Sequence, residues 1–227
     1  MSLAIVLAGL EVQLLAERAL WLPQTQTLIV ADLHWGKAAA FRAGGVPVPH
    51  GTTQSGLDRL DAVLATTGAR HLYVLGDLLH ARAGMVPETV QTLERWRAGC
   101  ADVLITLVRG NHDYNAGDPP ASLDIRCLDA PVSVGPFALC HHPVTMPDAF
   151  VLAGHVHPVV QLRSRGRQRL TLPCFAFTEN AGVLPAFGEF TGGGVVDQRD
   201  FTRCFVIADN EVLPLPARSQ LPYVTPG

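Results

Sequence analysis

TLIVADLH, residues 27–34, sets a short apolar run, Thr27 to Ala31, directly before Asp32 and His34. Four or five β-branched and aliphatic residues in a row read as a strand buried on both faces. The same order returns along the chain. His71 to Leu75 precedes Gly76-Asp77, and Val103 to Val108 precedes Gly110-Asn111-His112-Asp113. Phe137 to Cys140 precedes His141-His142, and Phe150 to Ala153 precedes Gly154-His155-Val156-His157. Between the first three strands the period changes to that of a helix. Leu57, Leu60, Val63 and Leu64 share one face of Ser55 to Thr67, which Gly68 ends, and Pro87 opens a second helix carrying Val90, Leu93 and Trp96. Residues 1–22 read as a β-hairpin ending at Pro23. Val159 to Arg163, Arg169 to Leu172 and a hairpin turning at Asp209-Asn210, between Cys204–Ala208 and Val212–Leu215, add strands at the other end. A β-α-β-α-β half followed by a mostly β half predicts a layered α/β domain, with two sheets face to face and helices outside. Residues 1–227 are expected to form one domain.

Composition narrows the function classes. The 227 residues hold 17 basic and 20 acidic side chains, a net charge of −3, which excludes a generic polycation. A hydrophobic fraction of 48% with mean hydropathy +0.23 can build a core, so disorder is excluded. No apolar run reaches the ~18 residues of a membrane span. The apolar start lacks a basic leader and is broken by Gly9, Glu11, Glu17 and Arg18, so a protein that stays in the cytoplasm is expected. Five cysteines without a C-x-x-C pair argue against a disulfide framework and against a thiolate zinc site.

Seven of the nine histidines (34, 80, 112, 141, 142, 155 and 157) follow the carboxyl end of a predicted strand by one to five residues. Strand carboxyl ends are where open α/β sheets carry their sites. On extended backbone, residues i and i+2 project to the same side, so Asp32 with His34, and His155 with His157, would each reach one centre. His141 and His142 must point apart, which leaves open which of them is a ligand. Oxygen and imidazole donors without thiolate favour manganese, iron or zinc as a divalent ion. Seven candidate ligands exceed one tetrahedral centre, whereas two ions sharing Asp77 would use them all. Two dications against Asp32, Asp77 and one hydroxide leave a positive pocket, suited to a phosphate anion.

In this order D-x-H (Asp32, His34), G-D (Gly76, Asp77), G-N-H-D (Gly110 to Asp113), the strand-terminal His141 and G-H-x-H (Gly154 to His157) resemble the calcineurin-like metallophosphoesterase superfamily. The resemblance implies a four-layer α/β/β/α sandwich of two mixed β-sheets flanked by helices. It implies one metal on Asp32, His34, Asp77 and His157, and a second on Asp77, Asn111, His141 and His155. His112, with Asp113 and His80 around it, would act on the phosphate and the leaving oxygen. The stretches Asp32 to Arg42, Val46 to Pro49 and Gly76 to Arg82 are similar to the bacterial ligase-associated DNA damage response endonucleases. That branch implies a manganese-dependent phosphodiesterase cutting single-stranded DNA by in-line attack of a metal-bridging hydroxide, linked to a repair ligase and helicase. A homodimer is compatible with it. Two positions depart from the pattern: His80 stands where many relatives carry the carboxylate of G-D-x-x-D, and His142 where many carry glycine.

Lys37 and Arg42, after the first metal loop, and Arg163 and Arg165, in an alternating run with Arg167 and Arg169, are candidate contacts to DNA phosphates; solvated charge is the plain alternative. Trp35 is either a base-stacking platform or a core aromatic. A phosphomonoesterase or nucleotide pyrophosphatase could use the same metals. A non-catalytic binding module would show eroded ligands, and a lipid-precursor hydrolase an apolar helical cap; neither feature is seen.

Overall fold

The computed structural model describes residues 2–49, 51–163, 169–189 and 191–216. The first sheet runs in chain order: β1 (Ser2–Leu7), β2 (Leu10–Leu15), β3 (Ala19–Leu22), β4 (Thr27–Val30), β5 (His71–Leu75), β6 (Leu104–Val108) and β7 (Ile125–Leu128). Its front is an antiparallel meander of three strands rather than the single hairpin expected, because Arg18 at φ 69° turns the chain a second time. From β4 onward the pairing is parallel, with Thr27 opposite His71 and His71 opposite Leu104. The crossovers carry α1 (Lys37–Ala43), α2 (Thr52–Thr67) and α3 (Pro87–Gly99), and α4 (Asn111–Ala116) follows β6.

The second sheet contains β8 (Val132–Val134), β9 (Phe137–Leu139), β10 (Phe150–Ala153), β11 (Pro158–Arg163), β12 (Arg169–Phe177), β13 (Ala181–Val183), β14 (Gly194–Val195), β15 (Arg203–Ala208) and β16 (Glu211–Leu215). It is mixed too: β10 is parallel to β9 and β13, while β12 is antiparallel to β11 and β15.

Alternation along the strands divides the core. Leu28, Val30, Leu72, Val74, Ile105 and Leu107 point to Leu57, Leu60, Leu93 and Trp96 of the helices. Ile29, Ala31, Leu75 and Val108 point the other way, to Phe137, Leu152, Phe175, Phe177 and Phe205 of the second sheet. The result is two mixed sheets flanked by helices, of the expected α/β/β/α class. The helices are unevenly placed. Among the described residues no α-helix follows Ala116, and the outer face of the second sheet takes Met146 and Ala149 from a loop. None of the described helices is long and apolar enough to cross a membrane.

Candidate metal centre

The loops beyond β4 and β5 stay paired after the strands end. Asp32 N–H donates to Gly76 O (3.2 Å), His34 N–H to Asp77 O (2.9 Å) and Trp35 N–H to Leu78 O (2.7 Å). On the opposite flank, Phe187 N–H donates to Ala31 O (2.7 Å) and Gly188 N–H to Asp32 O (3.0 Å). The Asp32 loop is thereby held between two backbone strips. Its conformation is not the extended one expected from i, i+2 spacing. Asp32 (φ 54°), His34 (50°), Asp77 (50°), His155 (67°) and His157 (48°) are all left-handed. These five side chains converge because the chain kinks at each of them, not because a strand aligns them. Asp and His tolerate this region better than most residues, yet each such position still costs roughly 1–3 kcal/mol and persists only where its surroundings impose it. Two glycines make the convergence possible. A Cβ on Gly76 (φ 76°) would enter the His141 ring, and one on Gly154 would stand 2.7 Å from Asp32 Oδ2 and 2.8 Å from Leu75 O.

Two donor groups meet at Asp77. Its Oδ2 faces His34 Nε2 at 3.8 Å and its Oδ1 faces His141 Nε2 at 3.4 Å. On the first side Asp32, His34 and His157 bring ligand atoms within 4.8 Å of one another, with His157 Nε2 3.6 Å from Asp32 Oδ1. On the second side Asn111 Oδ1 lies 2.9 Å and His155 Nδ1 3.1 Å from His141 Nε2. Backbone carbonyls fix the tautomers. His141 Nδ1–H donates to Leu75 O (3.0 Å), His157 Nδ1–H to Thr191 O (3.1 Å) and His112 Nδ1–H to His80 O (2.8 Å). With Nδ1–H so anchored, each ring turns Nε2 toward the cluster, the arrangement that orients metal-ligating histidines.

The donors fit divalent ions. Asp32 Oδ1, both nitrogens of His34 and His157 Nε2 are buried with no hydrogen-bond partner, which is costly in a closed site unless a cation satisfies them. His141 Nε2 is faced by the Asn111 side-chain oxygen and the Asp77 carboxylate, three donor atoms that a shared cation would satisfy together. Nitrogen ligands about 2.1 Å from one ion stand roughly 3.0–3.4 Å apart, as His141 and His155 do. The protonation of His34 and His155 agrees with this, and that of His157 runs the other way. Burial, then the charge of Lys37 and the neighbouring histidines, pushes His34 down to about 2, so it is the neutral base a metal requires. Burial and Lys37 push His80 down to about 4, and burial and His142 lower His155. His157 is lowered by burial but raised on balance by Asp32.

The remaining candidates occupy distinct positions. His141 is buried at 1% exposure; His142 is exposed, with its ring 4.1 Å from that of His155. The His80 ring stacks on His112 with centroids 5.1 Å apart, and its backbone carbonyl is what holds the His112 ring. Asp113 spends both carboxylate oxygens on backbone N–H groups, Gly110 at 2.9 Å and Leu79 at 3.0 Å, and so ties the two metal loops together. Lys37 is close enough to depress His34 and His80, whereas the Arg42 guanidinium donates to Val48 O and Pro49 O of its own loop. Trp35 is a core aromatic, edge-on to Trp96 at 5.3 Å, because the Leu78 contact draws it under the loop. Arg163 closes β11 opposite Arg169; its side chain, with Arg165 and Arg167, lies outside the described residues. Sequence reasoning did not find the clamp on segment 186–189. Arg18 donates to Ala186 O, while Arg59 donates to Phe187 O and pairs with Glu189 at 3.6 Å. These contacts run mainly through backbone atoms and leave no side-chain pattern to read.

Two mixed sheets carrying a binuclear donor cluster at their strand ends define a metal-dependent phosphoric ester hydrolase. The calcineurin-like phosphoesterase family matches residues 25–169, which include all seven donors, and the chain belongs to that family. Among solved structures it resembles the crystal structure of Pseudomonas putida nuclease MPE, with 44% identity and a TM-score of 0.84 over 95% of this chain and 100% of that one. A weaker match is Yfce, a phosphoesterase from E. coli, at 15% identity and a TM-score of 0.40 over 84% of this chain and 98% of that one. No curated protein matches.

Proposed function

We propose that the chain is a binuclear, manganese-dependent endonuclease that hydrolyses phosphodiester bonds in single-stranded DNA. The observation that carries the reading is the split of Asp77, one oxygen toward each donor group. The nuclease assignment is supported by a relative 44% identical over almost the whole chain, and manganese by a donor set of oxygens and imidazoles. Asp32, His34, Asp77 and His157 would hold one ion, and Asp77, Asn111, His141 and His155 the other. When bound, the ions would lower the pKa of a water and place positive charge on the phosphoryl oxygens. His112, its Nδ1–H anchored on His80 O, keeps Nε2 toward the cluster, 3.9 Å from Asp77 Oδ2, where its protonated form can donate to the leaving oxygen. Asp113 acts through the backbone, holding Gly110 and Leu79 in register. Residues 1–227 work as one domain in this reading. A cytoplasmic setting beside repair enzymes is in keeping with five free cysteines, and cells lacking the gene should then survive strand-breaking damage poorly; undiminished survival removes the repair role.

The test is to strip the protein of metal and incubate it with circular single-stranded DNA and each divalent ion in turn. A circle has no ends, so manganese-dependent linearisation establishes endonuclease action. His112→Gln is expected to slow it by roughly 10²–10⁴-fold. An intact circle beside rapid hydrolysis of an aryl monophosphate would replace this reading with a phosphomonoesterase.

A further inference from the structure

His142 is not among the seven donors, yet it stands at the solvent edge of the second group. Consecutive residues on an extended strand point apart, but the chain bends at His141-His142 and brings the two rings together, with centroids 4.7 Å apart. The His142 ring also lies 4.1 Å from that of His155. One nitrogen from each of His141, His142 and His155 falls within 4.8 Å of the other two. Two nitrogens about 2.1 Å from one ion stand at most about 4.2 Å apart, so a small rotation of the His142 ring brings it into the sphere that His141 and His155 share. Its freedom differs from theirs. His141 is buried and anchored on Leu75 O, whereas His142 is exposed and, among the described residues, no hydrogen bond holds its ring.

We infer that His142 is a displaceable ligand of the second ion, filling in the resting protein the outward position that a phosphoryl oxygen of the substrate takes. The inference rests on the binuclear reading above and adds what guards the site before substrate arrives. Asp77, Asn111, His141 and His155 would supply four donors and a bridging water a fifth, which leaves an octahedral ion one position. His142 is the exposed imidazole beside it. The exchange balances without a proton: the neutral ring gives up its bond to the ion as the phosphoryl oxygen makes one. Linkage fixes the sign of both effects. If the His142-bound form is favoured by about tenfold, it tightens metal binding by that factor and weakens phosphate binding by the same factor.

Calorimetry reads both affinities without turnover. Manganese is titrated into metal-free wild type and His142→Ala, and inorganic phosphate into each protein saturated with manganese. His142→Ala is expected to bind one of its two ions about tenfold more weakly and phosphate about tenfold more tightly. Opposite shifts of equal size are what a displaced ligand produces. Weaker phosphate binding would make His142 a phosphate contact or a support for His155, and unchanged manganese binding would leave it without a bond to the ion; either overturns the inference. His142 is exposed, so the metal-free variant should melt at the wild-type temperature. A wild type that takes up fewer than two ions fails the binuclear reading itself.

Discussion

Asp77→Ala is expected to abolish phosphodiester hydrolysis, by on the order of 10³-fold or more, in a chain that still folds. Asp77 faces the two donor groups with different oxygens, and it is buried at 2% exposure, so no mobile side chain can replace it. In the proposed centre its loss would remove a ligand from each ion, whereas removing a group that merely supports a ligand typically costs 10–100-fold. The fold should survive because Asp77 holds the His34 loop through its backbone carbonyl, which alanine keeps. Its side chain accepts one backbone hydrogen bond, from His112 N–H at 3.0 Å, worth about 1–3 kcal/mol when broken in a buried place. Thermal melting with and without manganese separates the two effects. At an ion concentration 100 times its Kd, the wild type gains about 2.7 kcal/mol from one site, and Asp77→Ala should gain far less. Full activity in this variant would reject the shared-carboxylate centre.

Gly76→Ala is the second substitution expected to have a large effect, and it acts without touching a ligand. Alanine at φ 76° pays a backbone cost of about 1–2 kcal/mol. Its Cβ would also occupy the position of the His141 ring, which Leu75 O holds from the other side. The ring must move and take Nε2 away from Asp77 and Asn111, so activity should fall by about 100-fold or more beyond any loss of stability. Gly68→Ala is the control. Its φ of 65° carries a similar backbone cost, but its Cβ meets nothing within 4 Å, so kcat/KM should be unaffected. Equal activity in the two variants would show that close approach at Gly76 does not shape the centre.

Much of this was legible because strand and donor adjoin in sequence. An apolar run such as Leu28 to Val30 fixes a strand, and the next polar residue then sits at its carboxyl end. The division of the core followed from the same runs. The local conformation of the donors was not legible, since a left-handed Asp32 or His157 is imposed by backbone partners remote in the chain, such as Gly188 and Gly194. For the same reason the sequence could not say which group would orient His112. The motif pattern suggested a side chain at position 80, whereas the acceptor is that residue's backbone carbonyl. Arg42 and Trp35 show the converse: their types suit nucleic acid, but loop closure engages one and core packing the other. The seven-residue α1, Lys37–Ala43, is too short to declare itself by periodicity.

Anomalous diffraction at the manganese edge, from crystals soaked in that ion, tests the paired-ion centre most directly. Two peaks roughly 3.5–4 Å apart are expected, with the Asp77 carboxylate between them, one peak contacting His34 and the other His141. A single peak, or two that do not share Asp77, would contradict it.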